Sequence, residues 1–135
     1  FADHDVYRAL PETTQERIRA WGWIAFNKNV MDVEQHVVNP GFALLAADAF
    51  DTGMGDVLAV AVTQAMVDEQ YHTLMHLNAS ALTRRQRGWA MPDGTLPVSA
   101  TVRRQRAAQL GAVDESAAAL STLAYTTGAE ISITS

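Results

Sequence analysis

"VDEQYHTLMH", residues 67–76, sets Glu69, His72 and His76 inside a run that otherwise reads as helix. Residues three and four apart share a face of an α-helix, so Glu69 and His72 can reach one metal ion. At about 100° per residue, Val62, Ala65, Met66, Glu69, His72, Thr73 and His76 form one stripe. A helix with a solvated polar face keeps its polar and apolar residues apart, whereas here they share a line. Asp68 falls off the stripe and reads as surface. Asp68 and Glu69 are the only charged residues between Asp56 and Arg84. The motif alone is weak: with six glutamates and four histidines, chance supplies a Glu-x-x-His in roughly one such chain in five.

Working outward, the helix holding this stretch is expected from Met54 or Asp56 to Arg87, closed by Gly88. An earlier long helix starts near Pro11 and Glu12 and carries Trp23, Phe26, Val30, Val33, Val37 and Val38 at helical spacing. "NPG" at 39–41 reads as its stop, followed by a short helix over about 42–50 that "DTGMGD" breaks. "MPDGTLPVS" is a loop by composition, and helix resumes near Ser99 or Ala100, with Ser99 or Thr101 as caps. After "LGAVDES", Asp114 can cap a last helix running to the end of the sequence. The expected fold class is all-α, a helical bundle forming one domain.

The 135 residues suffice for a core, and 48% hydrophobic content argues against disorder. With no cysteine, any metal must be held by carboxylates and imidazoles. A formal charge of -5 disfavours a nucleic-acid partner. No apolar run has the length of a membrane span and no signal peptide is evident, so a cytoplasmic protein is expected. Arg-Arg-Gln-Arg occurs at 84–87 and 103–106; the first copy suits a helix C-terminus and the second a solvated face. The sequence starts at Phe1 and stops at Ser135 inside an apolar helical stretch, which reads as a piece of a longer polypeptide.

Two further carboxylates stand out. Glu130 is the only charged residue from Ser116 to Ser135, among small and apolar residues, where an unpaired carboxylate is costly. Glu34 shares a stripe with Asn27, Val30 and Val37, while Asp32, Gln35 and His36 turn away from it. Glu34, then Glu69 with His72, then Glu130 supply three of the four contributions of a ferritin-like di-metal bundle, in order. The fourth, a second Glu-x-x-His, has no candidate, so it is expected beyond Ser135.

Through "FNKNVMDVEQHVVNP", "VDEQYHTLMHLNAS" and "GAEISITS", the chain resembles the p-aminobenzoate N-oxygenase family of di-iron enzymes, which includes arylamine oxygenases of antibiotic pathways. The resemblance runs from about Trp21 to the end. It implies that Glu34, Glu69, His72 and Glu130 are metal ligands, with two iron ions as cofactor and O2 as co-substrate. It also implies N-oxygenation of an aryl amine to hydroxylamine, nitroso or nitro product, an external electron donor, a homodimer, and a late helix carrying the missing ligands. An oxygen-rich donor set suits iron, or manganese, over zinc or copper. Val30, Met66, Thr73 and His76, each one turn from a ligand, are candidates for the substrate pocket or the ligands' supporting contacts, though a core histidine is the plainer reading of His76. No arginine falls on the Glu34 stripe, so nothing supports recognition of a carboxylate-bearing substrate. Two other readings stay open: a ferritin-like protein that stores metal or oxidises hydrocarbon, and a metal-free helical interaction domain.

Overall fold

The computed structural model describes residues 2–90 and 96–134, and among them there is helix and no strand. The elements are α1 (Asp5–Arg8), α2 (Glu12–Val33), a π-helical turn (Glu34–Val38), α3 (Asn39–Ala46), α4 (Gly55–Gln86), α5 (Ala100–Leu110) and α6 (Glu115–Thr134). The all-α expectation holds. Of the expected loop "MPDGTLPVS", residues 91–95 lie outside the described residues, and 96–99 are non-helical. Among the described residues no helix is long and apolar enough to cross a membrane.

Local chemistry sets the ends. Asp114 Oδ1 accepts the Ala117 N–H at 2.8 Å, the expected cap of α6. Gly88, at φ +64°, closes α4, with the Trp89 N–H on the Arg84 carbonyl and the Gly88 N–H on that of Arg85. Arg84 and Arg85 fill the last turn of α4, where cations offset the helix dipole. Ser99 precedes α5 but makes no side-chain cap; its N–H goes instead to Asp32 Oδ2 at 3.0 Å.

"NPG" does not stop the helix. The chain stays helical from Glu12 to Ala46 by widening one turn at Glu34–Val38. Pro40 has no N–H and would crowd the carbonyl four residues back in an α ladder. The π turn, ending just before it, replaces that ladder with an Asn39 N–H to Glu34 carbonyl bond. Asn39 Nδ2 adds a second donor to the same carbonyl at 3.0 Å.

α4 packs against α2, the π turn and α3, and α6 packs against α3, the π turn and α5. The π turn therefore sits at the centre. Val33, Val37, Val38, Val102 and Ala129 form the buried cluster, flanked by Phe42 and Tyr125. α6 approaches through Thr126, whose hydroxyl donates to the Val37 carbonyl at 2.9 Å. Only glycine fits opposite it: a Cβ on Gly41 would lie 1.9 Å from Thr126 Oγ1. The far side of α4, with Val60, Val67, Tyr71 and Leu74, stays exposed.

Candidate metal centre

Glu34 opens the π turn, and Glu69 and His72 sit one turn apart on α4, which packs against it. One ligand atom from each of the three lies within 4.8 Å of the others. Both carboxylates are buried, while the His72 side chain is 46% exposed. His72 Nδ1 stands 3.4 Å from Glu69 Oε2. π turns recur at functional sites because the widened turn re-aims side chains, and this one keeps Glu34, Val37 and Val38 all facing inward.

Two carboxyl groups this close cannot both be charged without a cation between them. Burial, then the hydrogen bond to Glu69 and the charges of Glu69 and Glu130, push the Glu34 pKa up to about 9. Glu34 thus holds a proton on the edge facing Glu69, and its buried Oε2 has no hydrogen-bond partner among the described residues. A buried carboxyl with one oxygen orphaned and the other sharing a proton fits a site made for a cation. The donor set, two carboxylates and one imidazole, suits iron or manganese.

Glu130 is not one of the three. Its carboxyl is raised by burial first and by the Glu69 charge second, with His72 pulling it back, so it feels the same cluster from α6. It stands one turn beyond Thr126, the residue pinned to the π turn.

The cluster opens on a cavity of about 910 Å³ whose walls include Glu34, His72, Phe26, Val30, Val33 and Tyr125. That size accommodates a small aromatic molecule. Of the four residues expected near substrate, Val30 and His76 line the cavity; Met66 and Thr73 do not. Thr73 is buried, its hydroxyl without a partner among the described residues, and Met66 is half-buried. Asp68 is exposed, as expected.

Sequence reasoning missed three positioning residues. Asn27 is fully buried and bonds His76. Asp32 does turn from the Glu34 stripe, but into a buried contact with Lys28 at 2.5 Å and with the start of α5. Thr126 lies in a run of small residues that signals close packing but not the partner.

A sequence profile of the family described as P-aminobenzoate N-oxygenase AurF matches residues 1–135. A 4-aminobenzoate N-oxygenase of Streptomyces thioluteus is 33% identical over 87 residues, covering 64% of this chain and 26% of the relative. The match spans about a quarter of that relative's length.

Proposed function

This chain belongs to the p-aminobenzoate N-oxygenase (AurF) family, and from that membership we propose that it forms part of an O2-dependent N-oxygenase of aryl amines. The observation that carries the reading is the Glu34, Glu69 and His72 group, held within 4.8 Å beside a largely apolar cavity. The reading assigns the three, with Glu130, as ligands of a dinuclear iron site. The remaining ligands would come from the rest of the protein, of which this chain would form the N-terminal part of one helical-bundle domain. Manganese is the alternative metal.

When bound, an iron pair supplies the electrons that activate O2. The chain's residues do the rest. Glu34 would give up its proton to a bound cation, and Glu34 and Glu69 would supply hard oxygen donors to it. Phe26, Val30, Val33 and Tyr125, which line the cavity, would hold the aryl ring beside the cluster and displace water from around the amine. The substrate is a small aryl amine, converted to the hydroxylamine and onward to nitroso or nitro. The whole protein would draw electrons from an external donor and work as a cytoplasmic homodimer.

The test uses the intact protein, loaded with iron, reduced, and given aniline under 18O2. Hydroxylamine carrying 18O is the expected product. Iron uptake with no N-oxygenated product, or product oxygen drawn from water, overturns the assignment.

A further inference from the structure

The cavity wall carries one polar arrangement that metal binding does not use. His76 lies one turn beyond His72 on α4, half-buried, and lines the cavity. Its Nδ1 is 2.7 Å from Asn27 Oδ1. Asn27 is fully buried on α2, and its Nδ2 donates to the Trp23 carbonyl at 2.7 Å. A carbonyl can only accept, so the amide nitrogen of Asn27 must face Trp23 and its oxygen must face His76. That oxygen also only accepts, so His76 Nδ1 carries a proton. In the neutral ring Nε2 is then a bare acceptor. Burial, and secondarily the neighbouring His72, lower the His76 pKa and keep the ring neutral. Phe26 meets the ring edge-on, with centroids 6.1 Å apart and planes at 72°, and fixes its remaining freedom. Among the described residues Nε2 has no hydrogen-bond partner.

We propose that His76 Nε2 accepts a hydrogen bond from the substrate's amine N–H and so orients the reacting nitrogen. Asn27 is the positioning residue that holds His76 in the accepting tautomer. This rests on the N-oxygenation reading and adds a selection rule to it. A primary aryl amine has two N–H donors and one lone pair. With one N–H committed to His76, the nitrogen is held on the wall of the cavity that Glu34 and His72 also line. The N–H stays on nitrogen and no proton moves. An amine without N–H gains nothing from His76, whereas primary and secondary aryl amines do.

The experiment measures binding of aniline and N,N-dimethylaniline to the intact protein, as wild type and as His76→Phe, Asn27→Leu and Asn27→Asp. His76→Phe weakens aniline roughly fivefold to tenfold and leaves dimethylaniline unchanged, which also shows that the cavity persists. Asn27→Leu behaves similarly. Asn27→Asp still accepts from Nδ1 but sets a negative charge beside the ring, so aniline affinity is retained at high pH and lost as falling pH protonates Nε2. In metal-free protein, 15N spectra show Nε2 unprotonated and shifting on aniline addition. Equal losses for both amines, no loss for either, or a protonated Nε2 overturn the proposal. Binding is read without turnover, so an aniline-selective effect without hydroxylamine formation would sink N-oxygenation alone. Turnover with unchanged aniline affinity in His76→Phe would sink this inference alone.

Discussion

Replacing Gly41 with alanine probes the contact that brings α6 to the π turn. The new Cβ would stand 1.9 Å from Thr126 Oγ1, 2.7 Å from its Cβ and 2.9 Å from its Cγ2. Turning the Thr126 side chain cannot relieve this, because its Cβ is itself too close. The hydroxyl is also held by the Val37 carbonyl at 2.9 Å and the Thr122 carbonyl at 3.0 Å. The helices must therefore part by about 1.5 Å, the difference between 1.9 Å and ordinary contact at 3.4 Å. Overpacking of this kind costs about 1–3 kcal/mol, and losing the bond to Val37 adds about 1 kcal/mol. Alanine's better helix propensity returns about 0.5–1 kcal/mol. The expected net loss is about 2 kcal/mol.

Urea unfolding of the intact protein reads that loss. Gly22→Ala is the control, since a Cβ at Gly22 meets nothing within 4 Å, and it should stabilise by about 0.5 kcal/mol. Because Glu130 follows Thr126 by one turn, Gly41→Ala should also weaken iron binding by at least about tenfold, in line with the cost of displacing groups that support a metal site. A Gly41→Ala protein as stable as the Gly22→Ala control would refute the close approach and the placement of Glu130 built on it.

The other predictions concern charge. Glu34 is raised from 4.5 to about 9 in the metal-free fold, so between those values the unfolded chain has lost a proton that the fold retains. Metal-free stability should therefore fall as pH rises through that window, checked by urea unfolding at pH 5.5 and 8.5. Iron binding at pH 7 should release the Glu34 proton, seen as a dependence of binding heat on the buffer's ionisation enthalpy. Glu34→Gln should stabilise the metal-free protein at pH 8.5 and abolish stoichiometric iron binding, read by unfolding and metal analysis together. Asp32→Ala, which strips the Ser99 N–H and Lys28 of their partner, should cost about 2 kcal/mol with iron stoichiometry unchanged.

The helices were legible because their signals are local. Hydrophobic period, the Asp114 cap and Gly88 each act within a turn or two of themselves. Glu34, Glu69 and His72 were legible for a related reason: a carboxylate or imidazole on an apolar stripe must be compensated, and three such anomalies on two helices invite one explanation. The π turn was not legible. Pro40 does end an α ladder, but the chain answered by widening the ladder rather than leaving it, a choice decided by Asn39 and by packing against α6. Asn27 and Asp32 escaped because their burial depends on partners from distant segments, His76 and Ser99. The Gly41–Thr126 contact joins two small residues whose spacing along the chain carries no periodic signal.

The central claim is that Glu34, Glu69 and His72, with Glu130, help hold a pair of iron ions. Anaerobic Fe(II) loading of the intact protein, followed by Mössbauer spectroscopy of the oxidised sample, tests it most directly. The account predicts two irons per chain and the quadrupole doublets of a coupled ferric pair, both lost in Glu69→Gln. Binding of no iron, or of isolated single irons indifferent to Glu69→Gln, would contradict it.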